Sequence, residues 1–386
     1  MFIQKLILKN AWRHKLRTIL TILGIAIAVS AFGLLQTVVQ MWYIGVEASA
    51  ANRLITRHAV SFIFPLPYAY RDRIGKIPGV EQVTFANWFG GVYVDKKQFF
   101  ARLAIDNENF FDVYPELLVP HDQRAAFSRE RNACIVGEEL ARRYNLRIGD
   151  VMPMEGDIYP GHWEFVIRGI YRPRDKITDA SNMFFHWKYL DERLQEESPQ
   201  RAGDVGWYVM RISNPGDAPQ VSQEVDQQFA NSSAETKTET ERSFQQGFIA
   251  SASAILTAMN AISFIIIGII MLVLGNTMIM AARERIREYA VMKTFGFTTG
   301  HLVGLIAGES IMISAVGSAI GIALTFPMTQ GFAGVLPKGW FPIFNVQAIT
   351  LILACVAALF VGIAASVFPI QRAIRTRIVD GLRQIG

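Results

Sequence analysis

Side chains able to do bond-making chemistry are few and scattered in this sequence. The six histidines (His14, His58, His121, His162, His186, His301) form no pair at metal-ligand spacing, and Cys134 and Cys355 lie far apart. There is no G-x-S-x-G elbow, no H-E-x-x-H helix and no G-x-x-x-x-G-K-S/T loop. Nucleophilic hydrolysis, zinc-activated water and phosphate cradling each lack their residues. Charge clusters elsewhere. RERIREYAVMKTFGFTTG (283–300) sets Arg283, Arg285, Arg287 and Lys293 against Glu284 and Glu288, and Glu309 follows inside an apolar run. Such residues can dock a partner and pair with one another. A carboxylate in the middle of a bilayer costs about 2.5–3.5 kcal/mol unless it is paired or hydrated.

The elements that position these groups are four apolar blocks. The chain has 386 residues, 51% of them hydrophobic and 18% charged, with mean hydropathy +0.24. Soluble domains usually carry about 25% charge. The blocks cover 18–42, 252–282, 301–326 and 346–370. At about 1.5 Å per residue, each is long enough to cross a hydrocarbon core of roughly 30 Å. The first continues to Trp42, well beyond the 7–15 apolar residues of a cleaved signal, which predicts an uncleaved anchor with Trp42 and Tyr43 at the interface.

Basic residues set the orientation. Segment 1–17 has Lys5, Lys9, Arg13, Lys15 and Arg17 with no acid; 283–300 is basic; 371–386 has Arg372, Arg375, Arg377 and Arg383 against Asp380. With four spans all three fall on one face, so the positive-inside rule places both termini in the cytoplasm. The 43–251 portion and the short 327–345 loop then lie outside. A pI near 9.2 could suggest nucleic acid, but these bases hug helix ends, where they anchor topology and contact membrane lipids. Phe2, Ile3, Leu6, Ile7 and Trp12 share one side of a predicted interfacial helix.

The outer portion has soluble composition and reads as α+β. Strands are expected at 58–64, at 81–94, at 97–105 and at 207–212, with helices at 67–77 and 219–230. Segments 56–115 and 205–240 form one lobe. An inserted lobe, 116–204, holds a strand from Ala133 to Gly137, a helix at 138–144, a turn at Gly149-Asp150 and a strand at 163–171 with Phe165 and Ile167 on one face. Trp88, Phe89, Tyr93, Phe99 and Phe100 are expected to pack this sheet.

Within 283–300, the residues Ile286, Tyr289, Ala290, Met292 and Lys293 recur near helical spacing before Gly296 stops the helix. In the third span Gly304/Gly308 and Gly317/Gly321 are two small-xxx-small pairs facing different neighbours. One pair is expected to pack within the protomer and the other to serve a dimer contact. Glu309 is expected to be a hydrogen-bonded packing residue near the inner interface.

These segments carry a resemblance. WRHKLRTILTILGIAIAV, ARERIREYAVMKTFGFTTGHLVGLIAGESIMISAVGSAIG and PIQRAIRTRIVDGLR resemble the first-span start, the second-to-third-span connection and the C-terminal end of the MacB/FtsX-like permeases of the type VII ABC transporter superfamily. Pro78-Gly79-Val80, VGEELARRYNLRIGD and FVIRGIY are similar to that family's periplasmic core domain. The resemblance implies four transmembrane helices with a large extracytoplasmic α+β domain between the first two, in the bacterial inner membrane. It also implies a non-catalytic permease with no cofactor of its own, ATP and Mg being bound by a separate ABC ATPase dimer. A second permease copy would complete a homodimer, with an adaptor and outer-membrane channel where the cell has two membranes. By mechanotransmission, the coupling residues Arg285, Ile286, Glu288, Tyr289, Met292 and Lys293 would pass ATPase motion to stalks at 43–55 and 240–254, for export or extraction. The alternative that the resemblance leaves open is an FtsX-like signalling subunit controlling an extracytoplasmic partner such as a cell-wall hydrolase.

Overall fold

A computed structural model describes residue 7 and residues 11–96, 99–175, 177–335 and 345–375. Most of the expected interfacial helix, most of the tail and the middle of the 327–345 loop lie outside the described residues. The chain divides into two compact units, one made of Met1–Gln40, Ser253–Ala333 and Phe344–Gly386, the other of Met41–Ala252 and Gly334–Ile343.

The first unit is built on four helices long and apolar enough to cross a membrane, Lys15–Tyr43, Ser253–Glu284, Thr299–Gly334 and Ala348–Arg375. Two of them run further than the sequence suggested. The third was expected to stop at Phe326 but continues through Pro327, and the fourth passes Pro369 to Arg375. Proline is tolerated inside membrane helices because neighbouring hydroxyls re-satisfy the backbone. On either side of Pro327, Thr325 and Thr329 donate to the carbonyls of Gly321 and Thr325 at 3.0 and 2.7 Å, although neither reaches the Ala323 carbonyl that the proline leaves without its N–H.

Small residues bring these helices close. A Cβ at Gly321 would lie 2.7 Å from the Ala26 carbonyl, and one at Gly317 would lie 2.8 Å from Ile25, so this pair seats the third span on the first. Ser310 and Ser314 donate to the Gly362 and Ala358 carbonyls, both at 2.7 Å, joining the third span to the fourth. Ile25, Phe32, Leu274 and Val361 fill the centre. Phe264, Leu272 and Phe368 point outward and are each 70% exposed. A surface of that kind needs hydrocarbon as its solvent.

The second unit is built on an 11-stranded sheet, with helices packed on it and a separate two-stranded ladder of Leu66–Pro67 and Asp204–Val205. Its strands run in the order Thr236–Thr240, Arg53–His58, Trp207–Ile212, Val80–Trp88, Arg102–Ile105, Met183–His186, Ala133–Gly137, Gly161–Pro173, Val151–Gly156 and Gly91–Val92. Leu117–Leu118 pairs off this path with Gly161–Pro173. The 116–204 region therefore has no separate sheet of its own. Parallel pairing of Met183–His186 with Arg102–Ile105 makes its strands a continuation of the flanking ones. That junction strand is buried at every position.

The strand expected at 58–64 ends at His58. Beyond it Phe62 leaves the ladder and packs its ring on Trp207 and Phe244. The strand expected from 97 forms only over Arg102–Ile105, residues 97–98 being outside the described set. Phe89 and Phe100 are buried in the core as expected, whereas Trp88 is 36% exposed and stacks on Phe99.

Candidate coupling site at the connection between the second and third spans

The connecting helix is Ile286–Thr294. It ends where Gly296 adopts a left-handed φ of 86°. The Phe297 N–H then reaches back to the Met292 carbonyl and the Gly296 N–H to that of Lys293, both at 3.1 Å, a Schellman closure that a residue with a Cβ would strain.

Ion pairs and backbone bonds fix this helix on several sides. Arg285, just before its first turn, donates from Nη1 to Glu309 Oε2 at 2.8 Å, and the side chains are 5% and 8% exposed. Glu309 is thus the paired residue that its cost in hydrocarbon requires. Tyr289 is buried, accepts from Arg285, and burial pushes its hydroxyl up to about 12, so it stays neutral. Glu288 pairs with Arg13, and Glu284 at the end of the second span pairs with Arg17 at 2.6 Å. Lys293 donates to the Ala373 and Ile374 carbonyls of the fourth span at 3.1 and 3.2 Å. Met292 packs on the central apolar cluster.

The structure thus brings the six expected coupling residues together but turns several of them towards the spans. Arg285 and Tyr289 are buried; Ile286, Glu288, Met292 and Lys293 are half-buried. The outward surface belongs above all to Phe295, which was not singled out from the sequence and is 79% exposed, and Arg287 and Thr294 are exposed too. An aromatic next to the glycine that ends an amphipathic helix was the available signal. Of the glycines, Gly304 has no atom within 4 Å of where a Cβ would stand, while at Gly308 a Cβ would meet the end of the Ile7 side chain.

The sheet unit carries a second charged knot. Arg53 is 3% exposed and reaches Glu116 at 2.6 Å, Glu241 at 2.8 Å and the Val113 carbonyl at 3.1 Å, its guanidinium lying 4.4 Å from the Tyr114 ring centre. Glu241 also accepts from the Ala50 N–H at 2.9 Å. One carboxylate therefore ties the chain where it enters this unit to the chain where it leaves. Among the described residues no group of His, Cys, Asp or Glu could hold a metal. Cys134 is buried and burial raises its thiol pKa, which leaves it inert.

Comparison with known proteins gives two family matches. Residues 18–228 match the MacB-like periplasmic core domain and residues 260–378 the FtsX-like permease C-terminal region. An ABC transporter permease of Methanocaldococcus jannaschii is 19% identical over 97% of this chain and 96% of its own length. The macrolide export ATP-binding/permease protein MacB of Bdellovibrio bacteriovorus is 28% identical over 64% of this chain and 36% of its own length. An ABC transporter permease of Mycobacterium tuberculosis is 20% identical over 67% of this chain, which spans only 30% of that relative. Among solved structures, the periplasmic region of MacB from Actinobacillus actinomycetemcomitans aligns over 53% of this chain and 95% of its own, with TM-score 0.38 and 12% identity. The extracellular domain of the Gram-positive transporter YknZ aligns over 49% of this chain and 99% of its own, with TM-score 0.37 and 11% identity.

Proposed function

We infer the function from one premise: the chain belongs to the MacB/FtsX-like permeases of ABC transporters. It is a multi-pass membrane protein with four apolar helices and a periplasmic-core-like α+β domain between the first and second. We propose that it works as the non-catalytic permease subunit of an ATP-driven complex. ATP and Mg would be bound by a separate ABC ATPase dimer. Two permease copies would transmit its closing motion to the extracytoplasmic domain for export or extraction of a substrate.

The observation that carries this reading is the anchoring of Ile286–Thr294. Through Arg285, Glu288 and Lys293 this helix is bound to the third span, to Arg13 before the first span, and to the fourth span. A push on its outward face then moves several helices together, because each link is short and directional. The first helix is unbroken from Lys15 to Ala48, so displacement at its basic end is carried along its whole length. With both termini and this connection in the cytoplasm, as the basic segments suggest, the ATPase side and the working side are opposite faces of an inner membrane.

Two measurements test it. The full chain is co-expressed with the ABC ATPases of its source cell. Co-purification and stimulated ATP hydrolysis are expected, and both should be lost on deleting 286–296 or on Glu288→Arg. Cysteine accessibility is then compared at Met292→Cys and at an exposed domain position such as Val60→Cys. Labelling of both from the same side of the membrane would overturn the reading.

A further inference from the structure

A groove of about 910 Å³ opens in the sheet unit, with all of its lining inside that unit. Local turns build it. The helix Glu138–Tyr144 stops at Asn145, whose left-handed φ of 53° turns the chain back through Leu146 to Ile148. Gly149, at a φ of 99°, then sends it into the strand Val151–Gly156. Leu117–Leu118 pairs with the far end of Gly161–Pro173, Leu118 opposite Arg172, and the helix His121–Arg129 follows it. Leu117, Leu118, Ile148 and Ile170 line the groove together with Arg142 and Arg172.

Two features of this lining point to a ligand. Leu118 is 45% exposed and Ile148 51%. In a domain of soluble composition, large aliphatic side chains gathered in one concavity mark a binding surface. Beside them two guanidiniums converge on one carboxylate. Arg142 donates to Glu138 Oε1 at 3.4 Å, and Arg172 Nε lies 3.7 Å from Glu138 Oε2. Both contacts are long and the arginine side chains are 75% and 76% exposed, so Glu138 holds neither strongly. Arg124, which also lines the groove, is engaged by both oxygens of Asp112 at 2.7 and 2.9 Å. The rim thus sets two loosely held guanidiniums against one acid, next to an apolar wall.

We propose that this groove binds an amphiphile of the fatty-acid class, with a carboxylate head and an aliphatic chain. A second carboxylate beside Arg142 and Arg172 would balance the two guanidiniums, whose planar forks match carboxylate oxygens in pairs. The chain would lie along Leu118, Ile148 and Ile170, where each methylene removed from water adds to affinity. A peptide would need main-chain partners at a strand edge. Here the Ile170 N–H is already taken by Gln123 Oε1 and the Arg174 N–H by the Glu116 carbonyl, both at 2.9 Å. The site lies in the sheet unit and does not depend on which ATPase the chain serves, so its failure would leave the transporter reading untouched.

The test uses the full chain in phosphatidylcholine nanodiscs, photolabelled with palmitate carrying a mid-chain diazirine, and mass spectrometry to identify the crosslinked peptides. Labels are expected on the peptides holding Leu117–Val119 and Leu146–Ile148, besides those in the spans. Excess palmitate should remove the groove labels, and hexadecanol, of equal chain length, should not. The double change Arg142→Gln with Arg172→Gln should lower groove labelling about tenfold. Labelling of the spans and thermal unfolding should stay at the wild-type level, because both side chains are exposed. Ile148→Ser should weaken groove labelling too, while Arg147→Gln, exposed but outside the lining, should leave it unchanged. Absence of groove labels, their survival in the double variant, or their removal by hexadecanol as readily as by palmitate would each overturn the proposal. Displacement by a leucine-rich acidic peptide at a lower concentration than palmitate would overturn it as well.

Discussion

Glu309 in the third span accepts from Arg285 at 2.8 Å, and both side chains are almost entirely removed from solvent. The pair closes the loop between the second and third spans on its inner side. It fixes the depth at which the connecting helix sits, since neither charge can be left alone in that environment.

Breaking this pair from one side is therefore predicted to cost more than removing it. Glu309→Ala or Arg285→Ala should destabilise the purified chain by about 3–5 kcal/mol. The double change Arg285→Met with Glu309→Leu should recover most of that loss. Denaturant unfolding in detergent measures it, and equal loss in the single and double variants would exclude a buried-pair role.

The two glycine pairs should separate. At Gly317 and Gly321 a side chain would meet Ile25, Val29 and the carbonyls of Ile22 and Ala26, and backbone cannot move aside cheaply. Gly321→Leu is expected to cost about 1–3 kcal/mol or more. Gly304→Leu should leave the unfolding midpoint unmoved, because space there is open. If Gly304 meets a second copy, the same change shifts the sedimentation of the complex while the fold survives.

Phe295 should matter for partner binding and not for folding. Its ring is 79% exposed at the end of the connecting helix, the geometry of an interface anchor. Phe295→Ala is expected to weaken ATPase association at least about tenfold with unchanged thermal unfolding. Unaltered affinity would shift attention to Arg287.

Acid should loosen the sheet unit at one identifiable place. His186 is 2% exposed, its Nε2–H donates to the Phe127 carbonyl at 2.6 Å, and its Nδ1 has no partner. Burial lowers its pKa. The neutral ring is thus favoured in the fold, whereas the unfolded chain takes up a proton below about pH 6.5. Stability from this group is complete above that pH and declines as pH falls towards the folded pKa. The protection of amides across Met183–His186, corrected for intrinsic exchange, should fall between pH 7 and pH 5 in the wild type and fall less in His186→Phe.

The sequence made the membrane unit legible because charge-free runs longer than any ordinary core helix admit one explanation. The helix Glu138–Tyr144 was legible too, opening with acids and closing at Asn145 in a left-handed conformation. The first strand was not. RLITRH looks like surface, yet Arg53 and Thr56 are buried, the first by ion pairs and the second by its hydroxyl contact with Thr238 at 2.8 Å. The apolar SFIF that follows looked like the strand and is instead a covering loop. Continuity of the sheet was hidden because it depends on parallel pairing across the register Met183↔Arg102, a contact remote in sequence. The Arg285–Glu309 pair was half-visible. Each charge stood out, but their meeting depends on the turn at Gly296.

The position of Arg53 decides how the sheet unit would bear a load. Its two tethered strands, Arg53–His58 and Thr236–Thr240, are antiparallel neighbours at one edge of the sheet, with Leu54 opposite Thr240, so both tethers leave from the same end. Tension drawn through both at once runs along the ladder to Trp207–Ile212 and strains its hydrogen bonds side by side, not one after another as in a zipper. Glu241 accepts from Arg53 and from the Ala50 N–H, so the entering and leaving ends of this unit are clasped to each other and a load on either is shared by both.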